Sequence, residues 1–443
     1  MDALILENIR CFHGRQVLPL APLTVLIGEN STGKSTVLAA ARLAWDIGAG
    51  MVDLDFNEEP FDWGAYDQIA HYRGGRGGRA KSFVIGFQDT GVVGEHAGIT
   101  KPRAAYRFSV EAKFTQHGAQ PGIRQYRIRS AQDQIVATYD SKFHATVAIR
   151  AAGRQKRARL PYEKSGRLPP AHLAALLAFF KERRRLLTQS VDSRNWDEYW
   201  ERWEAYGIAA RRDTTRPCAI APLRSRPQRT YDPRREAPRP EGDHVPMILA
   251  RLKAQEPQRW EKLREALREF GVQSGLFRGL GIKRLGSKES APFQLNISIA
   301  GPPTNLIDVG YGVSQVLPIA VDCLTAAPRQ IVLMQQPEVH LHPRAQAALG
   351  SFLGFLAKTR QNRFIIETHS DYLVDRLRLD VRDGKNLKPE DVVLLYFERE
   401  GIEVKVHPIR IDRDGNLVDA PPGYRRFFLE EEERFFGRAG ACV

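Results

Sequence analysis

The residues best suited to chemistry lie between positions 28 and 36, directly after an apolar run. Gly28, Gly33, Lys34 and Ser35 have the spacing of a phosphate-binding loop, the Walker A pattern. Glycines let successive backbone N–H groups point at phosphate oxygens, the lysine neutralises the β- and γ-phosphates, and the serine ligates Mg²⁺. The pattern predicts that a nucleoside triphosphate is bound by Gly28, Glu29, Asn30, Ser31, Thr32, Gly33, Lys34, Ser35 and Thr36.

A second polar group follows the apolar run 331–334. Gln335 and Gln336 stand where a phosphate-binding-loop enzyme normally has an acid for Mg²⁺ and another for the attacking water. An amide contacts Mg²⁺ or orients water through its carbonyl oxygen, but it accepts a proton poorly. We therefore assign Gln335 to the metal and Gln336 to catalysis, and we predict slow hydrolysis. Glu338, which we also count as catalytic, and Glu367 are candidates to replace the missing acids; alternatively, each caps or pairs locally.

A histidine and a helix start complete the candidate site. His369 follows the apolar run 364–366 and its glutamate, where an imidazole reaches a γ-phosphate; the alternative is a core histidine. Gly312, Ser314 and Gln315 open a predicted helix, whose positive N-terminal end is a second anion site. The alternative for Ser314 is a hydroxyl that caps its own helix. Two such helix ends favour one ATP held between two subunits, head to tail.

A sheet must bring these residues together. Apolar runs that end in polar residues, and the alternation of strands and helices from 293 to 395, predict an α/β fold with a mainly parallel sheet. Alternating runs between 83 and 150 predict an antiparallel sheet beside it. The predicted domains are the N-terminal part of an ATPase head (1–150), a basic helical insertion (151–245), the C-terminal part of the head (246–380) and a C-terminal extension (381–443).

Charge and composition point to partners. The 443 residues carry a formal charge of +14, and residues 151–240 hold 21 Lys and Arg against 10 Asp and Glu, a surplus of 11 (21 − 10). This surplus predicts a surface for nucleic acid; the alternative is an Arg-rich solvated surface. Dispersed cysteines, no basic leader and no run near the ~18 apolar residues of a membrane span predict a reduced, cytoplasmic protein without a membrane partner.

Five sequence blocks occur in the order of a known family. The chain resembles prokaryotic ABC-type ATPases of the RecF/SMC/OLD-like class, within the AAA-family ATPases often found beside anti-phage effectors. The resemblance covers about 1–90 and 215–380 and is weak for 150–215 and for the last sixty residues. The blocks are Leu-Glu-Asn-Ile-Arg-Cys-Phe at 6–12, the phosphate-binding loop, Ala-Pro-Leu-Arg-Ser-Arg-Pro at 221–227, the signature helix at 310–318, and Gln-Pro-Glu-Val-His-Leu-His-Pro at 336–343 followed by Glu-Thr-His-Ser-Asp at 367–371.

The resemblance assigns roles to these blocks. It implies ATP and Mg²⁺ as cofactors, with Lys34, Ser35 and Thr36 on phosphate and metal. It implies that the three signature residues contact the γ-phosphate bound to a partner subunit, in a homodimer or higher homo-oligomer. His369 takes the switch-histidine place, and Gln68 that of a Q-loop residue.

Three functions follow from this resemblance. The first is a slow ATPase that acts as sensor and regulator of a separately encoded effector, a nuclease or toxin, in anti-phage defence. We expect no nuclease of the Toprim type, as fused to OLD relatives, in residues 380–443, so a partner would supply chemistry on nucleic acid. The alternative is a DNA-binding RecF/SMC-like ATPase of repair or recombination, whose basic insertion tracks the duplex. A transporter subunit is disfavoured, because such subunits usually lack a long basic insertion at this place.

Overall fold

The computed structural model describes most of the chain outside the predicted insertion. The described residues are 1–49, 51, 54–92, 105–131, 134–140, 144–151, 154–161, 215–233, 237–288, 290–424, 426, 430, 433 and 434. The helical part predicted for the basic insertion, at 162–214, and the end of the C-terminal extension lie outside them.

The described residues form the following strands and α-helices. The strands are β1 (Ala3–Ile9), β2 (Phe12–Pro19), β3 (Leu23–Gly28), β4 (Phe83–Val92), β5 (Ala105–His117), β6 (Gln120–Ser130), β7 (Gln134–Tyr139), β8 (His144–Ala151), β9 (Arg154–Pro161), β10 (Cys218–Ile220), β11 (Gly279–Arg284), β12 (Phe293–Ser298), β13 (Thr304–Asn305), β14 (Ile331–Gln335), β15 (Arg363–Glu367), β16 (Val392–Glu400), β17 (Glu403–Ile411) and β18 (Leu417–Val418). The α-helices are α1 (Lys34–Gly48), α2 (Tyr66–Ile69), α3 (Val245–Gln255), α4 (Pro257–Ser274), α5 (Tyr311–Thr325), α6 (Pro343–Arg360) and α7 (Asp371–Arg382).

The chain divides into two compact units. The first unit comprises Met1–Leu20 and Ser35–Pro217, and the second comprises Ala21–Lys34 and Cys218–Val443. The phosphate-binding loop therefore ends the first segment of the second unit, and the chain leaves that unit after Lys34. The predicted domain limits at 150, 245 and 380 stay predictions.

The first unit contains an eight-stranded antiparallel sheet with the order β2-β1-β4-β5-β6-β7-β8-β9. Side chains alternate between buried and partly exposed along β7, as the period of two predicts for a half-buried strand. The sheet predicted for 83–150 is therefore present, and it continues to Pro161 at one edge. At the other edge it includes β1 and β2 through pairing of β1 with β4.

Aromatic rings and a partly exposed ion-pair group centred on Arg216 hold the first unit together. Phe83 stacks on Phe114 with ring centroids 5.0 Å apart. Arg216 donates to both carboxylate oxygens of Asp46, at 2.9 and 2.8 Å, and to Glu58 at 2.9 and 2.6 Å. These hydrogen bonds, first of all those with Asp46, raise the pKa of Arg216. One arginine of the basic 151–240 segment is thus committed to an internal contact.

The second unit contains the sheet that carries the phosphate-binding loop. Its order is β10-β14-β15-β3-β16-β17-β18, with parallel pairing from β10 to β16 and antiparallel pairing beyond. β14 has four consecutive buried residues before Gln335, as expected for a parallel strand covered on both faces. α4 packs on α6, and α6 on α7. A separate three-stranded antiparallel sheet has the order β11-β12-β13.

The C-terminal extension contributes to the central sheet. β16 lies parallel to β3, with Val392 opposite Leu23 and Phe397 opposite Gly28. Residues 392–395 and Phe397 are all buried. The apolar run 392–397 therefore completes the core around β3 from a part of the chain where the resemblance is weak.

Candidate nucleotide-binding site

The phosphate-binding loop follows β3, which lies between β15 and β16. Gly28 has φ +138°, and a Cβ there would lie 2.5 Å from the Phe397 carbonyl oxygen. Gly33 has φ +91° and Ser31 φ +60°. Only glycine tolerates the close approach at position 28, so the pattern of glycines predicted from the sequence is one that the backbone requires.

Lys34 is held against the loop. Its Nζ donates to the carbonyl oxygens of Gly28 at 2.9 Å and Glu29 at 2.6 Å, and the side chain is 3 % exposed. Burial lowers the pKa of Lys34, while the carboxylates of Glu367 and Glu29 oppose this shift. The Thr32 hydroxyl also donates to the Glu29 carbonyl, at 2.7 Å. A cation is thus fixed under a loop whose residues 29–31 are exposed.

Residues on either side of Lys34 connect the loop to α1 and to β16. Ser35 and Thr36 continue α1 directly after Lys34. The Arg399 guanidinium donates to the Ser31 carbonyl. Sequence reasoning did not assign Arg399, and only its place on the strand beside β3 reveals it.

The ends of β14, β15 and β3 are in register. Gln335 pairs with Glu367, and Glu367 pairs with Leu26. The backbone N–H of Gln336 donates to the Glu367 carbonyl at 2.7 Å, and Gln336 has φ +44°. The two amides predicted to serve metal and water therefore lie one strand farther from β3 than Glu367 does.

Glu338 connects the segments that follow β14 and β15. Its Oε1 accepts a hydrogen bond from the His369 backbone N–H at 2.7 Å, and the side chain is 7 % exposed. Burial raises the pKa of Glu338, although the bond from His369 and the charge of Arg224 oppose this. One oxygen of this carboxylate is thus paired with the segment after β15 while its buried Oε2 has no hydrogen-bond partner among the described residues, and its catalytic role stays a prediction.

His369 is exposed at the end of β15. Partial burial and the charge of Lys34 lower the pKa of its imidazole. The charge of Lys34 therefore acts on the His369 imidazole and, together with partial burial, favours its neutral form. The next residue, Ser370, caps α7 by accepting from the Leu373 N–H at 3.1 Å.

The signature residues open α5. Gly310 is the N-cap and offers no side-chain cap. The Ser314 hydroxyl donates to the Tyr311 carbonyl at 2.9 Å, so it does not cap the helix N-terminus. Gly312 lies close to the end of the segment after β14, because a Cβ at this position would be 3.1 Å from the His340 carbonyl oxygen. The helix end is thus left open, and its predicted contact with a partner's nucleotide stays a prediction.

Arg224 ties the signature helix to the end of β14. Its backbone N–H donates to Gln315 Oε1 at 3.4 Å, and its Nη2 donates to the Pro337 carbonyl at 3.0 Å. Burial lowers the pKa of Arg224 to about 10, against the opposing charge of Glu338. Gln315 itself is 1 % exposed. The block at 221–227 signalled this arginine, but sequence alone assigned it no role.

Gln68 belongs to the first unit. Its Oε1 accepts from the Ala65 N–H at 2.9 Å, which closes the short helix α2 on itself. The side chain is exposed. A local cap is therefore the contact that the structure gives to the predicted Q-loop residue, and the Q-loop role stays a prediction.

The described residues contain neither a self-contained metal-ligand cluster nor a membrane-spanning helix. No group of three or more His, Cys, Asp or Glu side chains in the described ranges is arranged to hold an ion alone. Within the same ranges, no helix has the length and apolar character required to cross a bilayer.

Comparison with known proteins supports the resemblance. Residues 225–375 match the family model described as "AAA domain, putative AbiEii toxin, Type IV TA system". No curated protein sequence matches the chain significantly. The family match supports an AAA-type ATPase domain over these residues, and the predicted α/β fold class is confirmed by the parallel and antiparallel sheets.

Solved SMC heads are among the structural neighbours. An SMC head bound to the C-winged helix domain of ScpA has a TM-score of 0.46 at 12 % identity, covering 93 % of this chain and 98 % of that one. An Smc head with an extended coiled coil, bound to the C-terminal domain of ScpA derived from Pyrococcus furiosus, has a TM-score of 0.44 at 10 % identity, covering 98 % and 99 %. The SMC head from Thermotoga maritima has a TM-score of 0.35 at 12 % identity, covering 93 % and 99 %. At this level of superposition the fold assignment rests on the strand order and the loop geometry.

Proposed function

We propose that the protein binds ATP with Mg²⁺ at the loop after β3, dimerises around the nucleotide and hydrolyses it slowly. In this proposal the ATP-bound dimer senses or regulates a separately encoded effector in anti-phage defence. The observation that carries the ATP-binding part is the buried Lys34 ammonium, fixed by the Gly28 and Glu29 carbonyls under a glycine-dependent loop. Such a cation with oriented backbone N–H groups is the chemistry that binds a triphosphate.

The proposed roles in the site follow the order of the strands. Residues 28–36 hold the phosphates, and Ser35 and the Gln335 carbonyl oxygen are the metal-ligand positions assigned from the sequence. Ser35 and Gln335 would hold Mg²⁺ there, and the ion would supply positive charge that offsets the negative charge of the phosphates. The neutral His369 imidazole contacts the γ-phosphate from the end of β15.

In this proposal hydrolysis is slow because Gln336, the residue assigned to the attacking water, is an amide. Gln336 orients a water molecule through its amide but does not remove a proton from it. Glu338 has the chemistry of a base, and its raised pKa would favour that role. However, one carboxylate oxygen already accepts from the His369 N–H at 2.7 Å. We therefore propose that Glu338 acts on catalysis mainly by positioning the His369 segment.

Dimerisation is supported by the surface around the start of α5. Leu223 is 69 % exposed, Ile307 41 % and Tyr311 47 %. Leu223 precedes the Arg224 that contacts Gln315, and Ile307 and Tyr311 lead into and begin the helix. Exposed apolar side chains beside an uncapped helix N-terminus suit a surface that closes on a nucleotide held by a second copy.

The dimer is tested by light scattering with and without Mg²⁺-ATP. The 50.0 kDa chain is expected to double its mass when ATP is added. Tyr311→Arg places a bulky charged side chain on the exposed surface at the start of α5, where Tyr311 is 47 % exposed, and is expected to keep the ATP-bound chain monomeric. Ser298→Arg, at the end of β12 in the same unit, is the matched control and should still dimerise. A wild-type protein that binds ATP yet keeps its mass would contradict this part of the proposal.

The effector role is supported by the matched family. The family description names a toxin and a toxin–antitoxin system, which is an association with paired genes. We expect a gene for a small nuclease or other toxic effector beside the gene for this chain. Co-expression should then give a complex whose toxicity changes in a Lys34→Ala background. A neighbourhood of repair genes, with no complex formed, would favour the second candidate.

The second candidate is a DNA-binding ATPase of repair or recombination, favoured by the surplus of 11 positive charges at 151–240 (21 − 10). Part of this charge is already used. Arg216 pairs with Asp46 and Glu58 in the first unit, and in the second unit Arg229 pairs with Asp308 at 2.6 Å. The test is DNA affinity measured against salt: ATP-strengthened binding whose logarithm falls steeply with log salt supports this candidate. Salt-independent or undetectable binding eliminates it.

A further inference from the structure

On the side of β3 that carries β15 and β14, the strand next to β3 ends in a carboxylate, Glu367, whereas β14 ends in Gln335. We propose that Glu367 replaces the missing acid of β14 as the carboxylate that coordinates the Mg²⁺ accompanying ATP. This inference rests on the proposed function, because it requires ATP at the loop. It assigns the metal to a strand that the motif pattern does not indicate.

Strand register is the first support. Gln335, Glu367 and Leu26 occupy one row across β14, β15 and β3. Residues in register on parallel strands project on the same face of the sheet, and adjacent strands are about 4.8 Å apart. Glu367 therefore projects on the same face as Gln335 but one strand closer to the loop. An acid moved from β14 to β15 still serves the same face.

Charge is the second support. Glu367 is the acid whose charge most raises the pKa of Lys34, ahead of Glu29. The Glu367 side chain is 7 % exposed. A carboxylate in such a place needs a cation close by. Lys34 supplies one positive charge, and Ser35, the expected hydroxyl ligand, is the next residue in the chain.

The donor set suits Mg²⁺. This ion typically takes one or two carboxylates, retains water and shares substrate phosphates. The described residues contain no cluster of three or more acidic, His or Cys side chains able to hold an ion alone, so a single carboxylate beside bound phosphates is the arrangement that remains. Glu338 is the competing acid, but it follows β14 and therefore belongs to a strand one place farther from β3 than β15 is. Glu367 is thus the acid of this sheet end placed to meet the metal.

One competing explanation makes a different prediction. If Glu367 only neutralises Lys34, its removal leaves more positive charge at the loop, and ATP binds more tightly with or without Mg²⁺. If Glu367 coordinates the metal, Glu367→Gln removes the gain that Mg²⁺ provides. Metal-free ATP then binds as well as before or better, because a negative charge near the phosphates is gone.

The experiment measures ATP affinity by titration calorimetry in Mg²⁺ and in EDTA. In the wild-type protein we expect Mg²⁺ to tighten binding by about tenfold or more, a common size for coupling between two ligands. In Glu367→Gln this Mg²⁺ gain should fall to about onefold, while EDTA affinity is kept or improved. Glu390→Gln changes an exposed carboxylate of the same unit and should keep the full Mg²⁺ gain.

Glu367→Asp is the second variant and protects the test from a folding failure. It keeps the charge beside Lys34 but withdraws the carboxylate by one methylene. Coordination predicts a reduced Mg²⁺ gain, whereas neutralisation predicts an unchanged one. Equal weakening of ATP binding in Mg²⁺ and in EDTA by either variant would show a structural role and overturn the inference, as would tighter binding in both. If the wild-type protein binds no ATP under either condition, the proposed function itself is wrong.

Discussion

The ends of β14 and β15 lie side by side, yet they carry different chemistry. Each strand has five residues, and the two pair in register over their full length. β14 ends in Gln335 and continues with Gln336, two neutral amides. β15 ends in Glu367, an acid, and His369 follows two residues later. β14 has the position where an acid is expected but ends in an amide, whereas its neighbour β15 ends in an acid.

This difference shows that the backbone arrangement of the two strand ends does not depend on which of them carries the acid. The hydrogen bond from the Gln336 N–H to the Glu367 carbonyl, 2.7 Å, holds the two strand ends together whichever side chains they carry. An acid can therefore change strand without a change in the sheet. A general base cannot change strand in the same way, because it must lie at a fixed place opposite the γ-phosphate to activate water. We infer that metal binding is retained and proton removal is weakened.

The largest effect is expected when the lysine of the phosphate-binding loop is removed. Lys34→Ala deletes the ammonium that meets the phosphates, and truncating one partner of a buried charge contact costs about 2–5 kcal/mol, so ATP affinity should fall about 30-fold or more. Fluorescent-nucleotide titration measures this. Lys253→Ala removes another lysine that donates to a backbone carbonyl, that of Ile282 at 2.8 Å, and should leave affinity unchanged. Equal affinities for wild type and Lys34→Ala would contradict the assigned loop function.

The next effect restores an acid to the end of β14. Gln336→Glu supplies a proton acceptor for the attacking water, and general-base catalysis typically contributes about 10²–10⁴-fold, so phosphate release should rise by about tenfold or more. Steady-state phosphate release measures the rate. Gln361→Glu makes the same change at an exposed position next to Arg329 and is the control. An unchanged rate in Gln336→Glu would indicate that another residue, with Glu338 the first candidate, already activates water.

The smallest effect concerns the link between the two strand ends. Glu338→Ala removes the acceptor of the His369 N–H, and an unpaired buried donor costs about 1–3 kcal/mol of unfolding free energy. Glu338→Gln keeps an acceptor oxygen and should lose less. Guanidinium denaturation of both variants measures the difference. If Glu338→Ala and Glu338→Gln are equally stable, the carboxylate does not brace the His369 segment.

The same carboxylate gives a pH dependence with a definite sign. Burial raises the pKa of Glu338 in the folded protein above its ordinary value of 4.5. Its contribution to stability is therefore complete below 4.5 and is lost as pH rises through the raised pKa. Relative to Glu338→Gln, wild-type unfolding free energy should fall as pH increases above 4.5. A rise over this range would show that Arg224 and the backbone N–H groups outweigh burial.

Features that are set by residues close together in the sequence could be predicted from local patterns. Gly28, Gly33 and Lys34 form a continuous motif, and the run 331–334 is apolar throughout, so both the loop and a buried strand were predictable. The antiparallel sheet followed from alternation along each strand. These signals are local because the loop needs glycine at given positions and a strand needs a period of two.

Features that depend on distant pairing were not predictable. The row formed by Gln335 and Glu367 joins residues from different strands, and no local pattern states their register. β16 was not recognised as the strand beside β3, although Phe397 faces Gly28 across it. Arg224 reaches Pro337 across a large separation in sequence. The local cap made by Gln68 depends on a backbone turn at 64–65 that competes with any role at a nucleotide.

The most direct test of ATP binding with slow hydrolysis is a single-turnover experiment that measures both in one sample. Excess wild-type protein is mixed with radiolabelled ATP and Mg²⁺, and bound nucleotide and released phosphate are quantified over time. We predict that ATP is bound by the wild-type protein and lost by Lys34→Ala, with hydrolysis well below the median enzyme rate of about 10 s⁻¹. Hydrolysis of bound ATP at about 10 s⁻¹ or faster, or no bound ATP at all, would contradict this prediction.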